Sequence, residues 1–223
     1  MRRGKFIVFE GIDGCGKTTQ AVRLKNHINS YLRQTGMPIL CEGQEEPYNK
    51  DIVGGIIRSV LSKQISMPDD ALAHLYVSNR LTHIADILPK LESGNHIICD
   101  RYYFSNFAYN QTENTSLEDL IIANRLCMKL LKPDVVFYLH ISPEIAAERR
   151  KKSRLTEDAN DSLAKQCHVA DNYEQIFSQP NTEFAERICR IECDNLTEDM
   201  VADTIWDYLV SNLFPNRVFF NGN

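Results

Sequence analysis

The most constraining feature of this sequence is a glycine-rich octapeptide between an apolar run and an amphipathic stretch. Residues 11–18 read Gly-Ile-Asp-Gly-Cys-Gly-Lys-Thr and match G-x-x-x-x-G-K-[ST] at every fixed position. The pattern predicts a strand, a tight loop and a helix in that order, with backbone N–H groups of the loop turned toward phosphate oxygens. Glycines allow this path because they carry no Cβ atom, and the helix N-terminus adds a positive dipole. The octapeptide therefore predicts a phosphate-binding loop.

Side chains of the same loop are candidates for nucleotide and metal binding. Lys17 is expected to bridge the β- and γ-phosphates of a bound nucleoside triphosphate, and Thr18 is expected to hold Mg²⁺ through its hydroxyl. The other residues expected to contact the nucleotide are Gly11, Asp13, Gly14, Cys15, Gly16 and Thr19.

A second candidate metal residue follows the apolar run at residues 96–99. Asp100 and Arg101 stand where this run would end as a strand. In proteins with a phosphate-binding loop, a carboxylate at a strand end can orient Mg²⁺ through its water shell. An isolated Asp-Arg pair is more often a surface ion pair. The phosphate-binding loop favours the site interpretation, so we expect Asp100 to act with Thr18 on the metal.

Apolar runs alternate with longer amphipathic stretches along the chain. Four of the five runs are nearly continuous in apolar residues, which is typical of strands buried on both faces of a parallel sheet. The runs are residues 6–9, 39–41, 96–99, 135–141 and 187–191. The alternation predicts βαβ units. With the phosphate-binding loop, we expect the three-layer α/β fold of P-loop NTPases, with a five-stranded parallel sheet of order 2-3-1-4-5 flanked by helices.

Local signals predict helix boundaries and a single domain. Residues 116–119 read Ser-Leu-Glu-Asp, a capping box that should begin a helix through about Leu131. Ser142 and Pro143 read as an N-cap followed by proline at the first helical position. The sequence contains no internal repeat or Pro/Gly/Ser linker, so residues 1–223 are expected to form one domain.

Composition excludes several classes of protein. The formal net charge is −5, whereas a dedicated nucleic-acid binder is normally basic. No apolar run approaches the roughly 18–20 residues that cross a bilayer, and no signal peptide is visible. The seven cysteines include no C-x-x-C pair, which is typical of reduced thiols in a cytosolic protein. We therefore expect a cytoplasmic protein with no nucleic-acid or membrane partner.

Several segments together resemble the thymidylate kinases. Residues 9–20, with Phe-Glu-Gly-Ile-Asp-Gly and Gly-Lys-Thr-Thr-Gln, are similar to the opening segment of that family. Residues 100–109, with Asp-Arg-Tyr, Ser-Asn and Ala-Tyr, are similar to its central signature. The order is completed by residues 79–80 (Asn-Arg), 133–134 (Pro-Asp) and 143–144 (Pro-Glu). The resemblance covers most of the chain and implies a homodimeric enzyme that transfers the γ-phosphoryl group of ATP to dTMP with Mg²⁺.

The resemblance implies a set of residues that bind the nucleoside of dTMP. Arg80 is expected to bond a thymine carbonyl, since a guanidinium offers planar donors. Tyr76, one helical turn earlier, is expected to stack on the base, and its alternative is a core aromatic residue. Asn106 is expected to read the pyrimidine edge. Tyr109 is expected to lie under the deoxyribose, where its bulk disfavours a 2′-hydroxyl.

A second implied set surrounds the phosphate of dTMP. Arg101 and Arg58 are expected to hold this phosphate because arginine can bind it in a bidentate manner. For Arg58 a helix-surface position is equally plausible. Asp13 is expected to approach the sugar 3′-hydroxyl or a metal-bound water. Asp13 and Arg101 are therefore counted with Lys17 among the candidate catalytic residues.

The basic residues 149–154 lie where the family carries its lid, expected here at about residues 149–160. A charge run is more often a solvated helix face. However, the phosphate-binding loop contains no arginine, and family members of that kind place their catalytic arginine in the lid. Arg149 and Arg154 are the candidates for this arginine.

Two segments depart from the family pattern. Residues 45–47 read Glu-Glu-Pro where many members have Arg-Glu-Pro, so one phosphate or Mg²⁺ contact must be arranged differently. Arg154 is followed by Leu-Thr-Glu-Asp and lacks the usual Asp-Arg pair of the lid. The residues that contact adenine are therefore not assigned.

Three alternatives remain open at this point. The enzyme could act on another nucleoside monophosphate or on several. A GTP-binding switch is formally suggested by residues 51–54, Asp-Ile-Val-Gly, but no strand precedes them and no N-K-x-D motif is present. A non-catalytic nucleotide-dependent interaction module is the third, although Lys17 and the metal-side residues are intact.

Overall fold

Strands and helices alternate through the part of the chain that is described. The computed structural model describes residues 3–34, 36, 38–153, 162–178 and 188–213. The strands in these ranges are β1 (Phe6–Glu10), β2 (Cys41–Glu45), β3 (His96–Asp100), β4 (Val135–His140) and β5 (Ile188–Glu192). The helices are α1 (Lys17–Gln34), α2 (Ile52–Leu61), α3 (Asp69–Glu92), α4 (Tyr103–Tyr109), α5 (Leu117–Leu130), α6 (Pro143–Ser153), α7 (Leu163–Ser178) and α8 (Glu198–Asn212). Among them, no helix is both long and apolar enough to cross a membrane.

The five strands form one parallel sheet of order β2-β3-β1-β4-β5, flanked by helices. This confirms the predicted fold and strand order. Every residue of the central strand β1 is fully buried, as the continuous apolar run indicated. Phe9 of β1 stacks on Phe137 of β4 with 5.3 Å between ring centroids. Burying one such side chain contributes about 1.5–3 kcal/mol to the free energy of unfolding.

The position predicted for β2 was wrong. The strand begins at Cys41 and runs to Glu45, whereas the apolar run suggested residues 39–41. β2 is an edge strand that pairs with β3 alone, and its burial is partial after Cys41. Polar residues are tolerated in a strand with one open edge and one solvated face. A search for apolar runs therefore finds only its first residue.

The capping box predicted for α5 is confirmed. The Ser116 side chain accepts a hydrogen bond from the backbone N–H of Asp119, and the Asp119 carboxylate accepts one from the backbone N–H of Ser116. These two bonds satisfy N–H groups that a helix N-terminus leaves without intrahelical partners. They set the start of α5, which packs against α3.

The sheet brings three strand ends to one edge. Phe9 pairs with Asp100 across β1 and β3, and Glu10 pairs with Tyr138 across β1 and β4. In parallel sheets of this type, ligands bind outside the carboxyl ends of the strands. The loops after β1 and β3 therefore meet at this edge, and both carry residues of the predicted site.

His96, the first residue of β3, is a buried histidine whose Nδ1 atom accepts a hydrogen bond. Its Nδ1 accepts a hydrogen bond from the backbone N–H of Lys5 over 3.0 Å. Burial lowers the pKa of His96 to about 4, and the charge on Lys5 lowers it further while Asp134 opposes this. The imidazole is thus neutral in the folded protein, whereas the unfolded chain has the ordinary histidine pKa near 6.5.

We expect the free energy of unfolding to decrease as the pH falls, because of His96. Because its folded pKa is lower than its unfolded pKa, the unfolded chain binds the extra proton, and stability is lost as the pH falls from about 6.5 toward about 4. Between pH 6.5 and 5 the loss is about 1.5 kcal/mol. Urea unfolding at both pH values measures it for the wild type and for His96→Asn, whose Oδ1 can accept the same bond.

The variant should lose about 1.5 kcal/mol less than the wild type over this interval. The control is His74→Asn, which changes an exposed histidine on α3 and should decline in parallel with the wild type. An equal decline in the wild type and His96→Asn would contradict the assignment.

Candidate active site

The loop between β1 and α1 follows a path that excludes side chains at two glycines. Gly11 and Gly14 have φ angles of 141° and 90°, which L-residues rarely adopt. A Cβ atom would lie 2.6 Å from the backbone oxygen of Leu139 at Gly11, and 2.6 Å from that of Ala146 at Gly14. Both backbone strain and collision therefore require glycine at these positions.

Two of the predicted nucleotide and metal residues, Lys17 and Thr18, lie at the end of the loop. Lys17 is buried, and its Nζ donates to the backbone oxygen of Ile12 over 2.8 Å. The hydroxyl of Thr18 donates to Asp100 Oδ2 over 2.5 Å, so the two predicted metal residues are adjacent. Within the described residues, the buried Asp100 Oδ1 has no hydrogen-bond partner. A hydroxyl and a carboxylate with an unsatisfied oxygen are the hard oxygen ligands that Mg²⁺ prefers, so the residues fit this ion.

A large cavity of about 830 Å³ lies over the loop. It is lined by residues 13–20 and by the predicted metal residue Asp100. Its basic lining residues are Lys17, Arg58, Arg101, Arg149, Arg150 and Lys152. A cleft lined with cations concentrates a polyphosphate ligand and strengthens its binding.

A smaller cavity of about 280 Å³ adjoins the first. Both cavities are lined by Asp13, Glu46, Pro47 and Arg101, so they meet at these residues. Of the residues predicted to bind dTMP, those in the smaller cavity are Asp13, Tyr76, Arg80, Arg101, Asn106 and Tyr109. Arg58, the remaining member of that set, lines the larger cavity.

Arg80 is held in a buried polar network. Its Nε donates to Glu46 over 2.7 Å, and its Nη1 donates to Asn124 over 2.5 Å. Asn124 in turn donates to Asn106 Oδ1 over 2.8 Å, which links the two predicted base-reading residues. Burial alone would lower the pKa of Arg80, but the Glu46 carboxylate outweighs it and the pKa is raised. Arg80 therefore stays charged and has a fixed orientation.

The altered segment at residues 45–47 contributes to both cavities. The buried Glu46 pairs with Arg80 and contacts His83 Nδ1 at 3.2 Å. Its neighbour Glu45, which replaces the family's arginine, forms an ion pair of 2.9 Å with Arg58. Both side chains of that pair are about half exposed, so the pair is easily exchanged for a stronger ligand.

Asp13 and Arg101 form the contact at which the cavities meet. Arg101 Nη2 lies 2.5 Å from Asp13 Oδ1, and the guanidinium lies 4.8 Å from the centroid of the Tyr109 ring. Arg101 has a φ angle of 74°, which is unusual for a residue other than glycine. Such a conformation persists when surrounding contacts over-determine it.

Glu10 supplies those contacts. This carboxylate is fully buried and accepts hydrogen bonds from the backbone N–H groups of Tyr102 and Ser105, which follow Arg101. It also accepts from the hydroxyls of Ser105 and Tyr173, over 2.6 and 2.8 Å. Burial raises the pKa of Glu10, and these donors offset part of the rise. The carboxylate thus fixes the turn that presents Arg101.

The basic end of α6 contacts the phosphate-binding loop through a residue that was not predicted. Arg150 is buried, and its Nη1 donates to the backbone oxygen of Asp13. Arg149, which was predicted, donates instead to the backbone oxygen of Cys193 over 3.2 Å. Arg154 and the rest of the predicted lid after residue 153 lie outside the described residues.

Comparison with known proteins decides between the alternatives. The sequence model of the family described as thymidylate kinase matches residues 9–204. The chain belongs to the thymidylate kinase family. It is therefore a phosphotransferase of the nucleoside monophosphate kinase class, and the predicted family resemblance is confirmed.

Named relatives cover nearly the whole chain. The thymidylate kinase of Caldanaerobacter subterraneus subsp. tengcongensis is 32% identical over 216 residues, which are 93% of this chain and 97% of that protein. The probable thymidylate kinase of Staphylothermus marinus is 35% identical over 173 residues, which are 76% of this chain and 80% of that protein. Among solved structures, thymidylate kinase from Candida albicans matches with a TM-score of 0.79 at 23% identity, covering 95% of this chain and 93% of that one. This last likeness supports the fold.

Family membership excludes the GTP-binding switch, and the structure explains the motif that suggested it. Asp51 is the N-cap of α2, and its side chain accepts a hydrogen bond of 2.6 Å from the backbone N–H of Gly54. Residues 51–54 therefore begin a helix. A formal match to D-x-x-G arises here from an ordinary cap.

Several residues that support the predicted site, either directly or through the turn after Arg101, were missed by sequence reasoning. They are Glu10, Asn124, Arg150 and Gln166. For Arg150 a signal was present, since it lies one helical turn after Ala146 and hence on the same face of α6. The other three bond to residues of the site or of the turn after Arg101 that lie 18 or more positions away in the sequence, and neither periodicity nor a local motif reports such pairs.

Proposed function

We propose that this thymidylate kinase family member transfers the γ-phosphoryl group of ATP to dTMP, giving ADP and dTDP. The observation that carries the proposal is the junction of two cavities at Asp13 and Arg101. One cavity lies over a phosphate-binding loop, and the other is lined by the side chains expected to bind thymidine. A phosphoryl group can pass between the two nucleotides where the cavities meet.

On the donor side, the loop holds the triphosphate of ATP. Lys17 exchanges its contact with Ile12 for the β- and γ-phosphates, and the N-terminus of α1 adds its dipole. Thr18 and Asp100 are the residues that would hold Mg²⁺, directly or through water. When bound, this ion neutralises charge on the transferring phosphoryl group.

On the acceptor side, the smaller cavity holds the nucleoside of dTMP. Arg80 has five N–H donors, and its bonds to Glu46 and Asn124 leave donors for a thymine carbonyl. The Asn106 oxygen accepts from Asn124 and has a second lone pair for the pyrimidine N3–H. Tyr76 stacks on the base. Burial raises the pKa of Tyr76 to about 12, so its hydroxyl stays neutral.

The remaining acceptor-side residues orient the sugar and the phosphate. Tyr109 lies under the deoxyribose, and Asp13 contacts the 3′-hydroxyl or a metal-bound water. Arg101 and Arg58 bind the acceptor phosphate, with Arg58 leaving Glu45 to do so. A dianionic phosphate outcompetes a half-exposed carboxylate for a guanidinium because it offers more charge and more acceptor oxygens.

The reaction requires alignment and charge stabilisation rather than a protein base. The dTMP phosphate has its second pKa near 6, so its oxygens are already nucleophilic at neutral pH. The transition state is loose, with negative charge spread over the transferring group. Lys17, Arg101 and a lid-side arginine supply positive charge where this negative charge develops.

Arg150 is the arginine of α6 that reaches the loop, and we assign it the main transition-state contact. It bonds to Asp13 and packs over Gly14, where its Cγ atom would lie 3.0 Å from a Cβ atom. Arg149 lines the same cavity from α6, but it bonds to the backbone oxygen of Cys193 after β5 and not to the loop. Arg154 stays a candidate for closing over ATP from the lid.

Three wider features complete the proposal. Residues 1–223 act as one kinase domain with a lid at about residues 149–160, and the enzyme works in the cytoplasm. It is a homodimer through α5, which exposes an apolar row at Ile122, Leu126 and Leu130. The first turn of α5 is acidic and its last turn is basic, so an antiparallel pair of α5 helices brings opposite charges together.

The proposed reaction is tested by ADP release across a panel of acceptors. The wild type should show its highest kcat/KM with dTMP when dTMP, dUMP, dGMP and UMP are compared at equal ATP. Lys17→Ala should lower kcat at least about a hundredfold, since it removes a charge from the transition state. The control Lys132→Ala changes an exposed lysine that lies outside the helices and lines neither cavity, and it should leave turnover unchanged. Near-normal turnover by Lys17→Ala, or a better acceptor than dTMP, would contradict the proposal.

The assignment of Arg150 predicts unequal effects for neighbouring arginines. Arg150→Met should lower kcat by about two to three powers of ten, whereas Arg149→Met should lower it less than about tenfold. Methionine keeps the aliphatic packing over Gly14 and removes the guanidinium. Steady-state kinetics with saturating ATP and dTMP measure both variants. A larger loss in Arg149→Met would assign the transition-state contact to Arg149 instead.

The proposed dimer predicts a change in mass on disrupting α5. Leu126→Glu should convert the dimer to monomer in analytical ultracentrifugation, because two buried carboxylates would face each other across the two-fold axis. Val22→Glu is the matched control, since Val22 is a comparably exposed apolar residue on α1. A dimeric Leu126→Glu protein, or a monomeric wild type, would exclude the α5 interface.

A further inference from the structure

All four polar atoms of Asp13 form hydrogen bonds with side chains. These side chains come from the turn after β3, from α6 and from α7. Its Oδ1 accepts from Arg101, and its backbone oxygen accepts from Arg150 of α6. Its backbone N–H donates to Gln166 Oε1 over 3.1 Å, and its Oδ2 accepts from Gln166 Nε2 over 3.3 Å. One amide of α7 therefore binds both the backbone and the carboxylate of the same loop residue.

We propose that Gln166 is a positioning residue for phosphoryl transfer, acting through Asp13. This inference rests on the proposed function, in which Asp13 contacts the acceptor sugar or a metal-bound water. By fixing both the backbone and the carboxylate, Gln166 sets the direction in which Asp13 presents its oxygens. It does so from a fully buried position at the start of α7.

The chemistry of the contact requires a neutral amide. Only asparagine and glutamine combine a carbonyl acceptor and an N–H donor in one uncharged planar group. Asp13 offers an N–H group and a carboxylate oxygen, so the amide matches it at both ends. A glutamate at residue 166 would still accept from the N–H group. Its ionised form would place a second negative charge beside Asp13 and would provide no donor.

Contacts farther along α7 keep Gln166 in place. Asn172 donates to the backbone oxygen of Ala108 over 2.8 Å, and Tyr173 donates to Glu10. At the helix start, the Ser162 hydroxyl accepts from the backbone N–H of Lys165 over 3.3 Å. Helix α7 is thus anchored to α4 and β1 independently of Asp13, so it can act as a fixed support for the loop.

The proposal is tested by the pH dependence of Gln166→Glu. Burial and the charge of Asp13 should raise the pKa of the introduced carboxyl, so that it regains a proton and a donor as the pH falls. We expect kcat/KM for dTMP to be roughly tenfold below wild type at about pH 8, with at least about threefold recovery relative to wild type by pH 5.5. Taking the ratio to wild type at each pH cancels the titration of the dTMP phosphate.

The ratio to wild type also removes the effect of the protein's own titrating groups on the pH dependence. The other ionisable side chains that contact Asp13 or line the smaller cavity with it are Glu46, Asp69, Tyr76, Arg80, Arg101, Tyr102, Tyr109, Arg150, Lys165 and His168. All of them are present in both proteins. Gln166→Met removes both hydrogen bonds and introduces no titrating group, so its loss should be the same at every pH.

Asn29→Asp is the matched control, because it also replaces an amide that bonds both a backbone N–H and a backbone oxygen, those of Cys41, and it lines neither cavity. It should stay within about threefold of wild type in kcat/KM at temperatures where thermal unfolding shows it folded. In the background of Asp13→Ala, Gln166→Met should have little further effect, since a residue acting through Asp13 loses its target.

The outcomes separate this inference from the proposed function. A Gln166→Glu enzyme with wild-type activity at every pH overturns the positioning role while the function stands. So does a pH-independent loss equal to that of Asn29→Asp, which indicates only the general cost of replacing an amide by a carboxyl. A wild-type protein without dTMP-dependent ADP release overturns the proposed function instead.

Discussion

The ion pair between Asp13 and Arg101 is the contact on which the rest of the site depends, because it lies where the donor and acceptor cavities meet. Asp13 comes from a loop whose path requires glycine at residues 11 and 14, and Arg101 comes from a turn with a positive φ angle. Neither backbone would keep this geometry in isolation. The glycines permit the first, and the four donors on Glu10 maintain the second. The two nucleotide sites are thus one unit.

Buried charged side chains fix the geometry of this unit. Glu10, Glu46 and Arg80 are all nearly inaccessible to water. Removing a charge from water costs several kcal/mol, and pairing often only balances that cost. Such groups are therefore a poor explanation of stability and a better explanation of orientation. Glu46 orients Arg80, and Glu10 fixes the residues that follow Arg101. The low local dielectric strengthens every bond in these networks.

Sequence analysis predicted the features that depend on residues close together in the sequence and missed those that depend on distant ones. Short sequence patterns predicted the strand, loop and helix around residues 11–18, the buried strands and the capping box at Ser116, and the structure confirms them. The edge strand β2 was misplaced because an exposed strand needs no apolar run. Gln166 and Asn124 were missed because they contact residues 153 and 18 positions away. Helical periodicity marks such residues as buried, but it does not report which partner they meet.

The need to align the two reacting groups explains why helices α6 and α7 both contact the same residue of the loop. Since phosphoryl transfer needs no protein base here, the rate depends on how well the attacking oxygen and the γ-phosphorus are aligned, and well-oriented reactions gain about 7–11 kcal/mol from this. Helix α6 reaches Asp13 through Arg150, and α7 reaches it through Gln166. The two helices thus hold the same loop residue from different directions, and the ion pair of Asp13 with Arg101 links that residue to the smaller cavity.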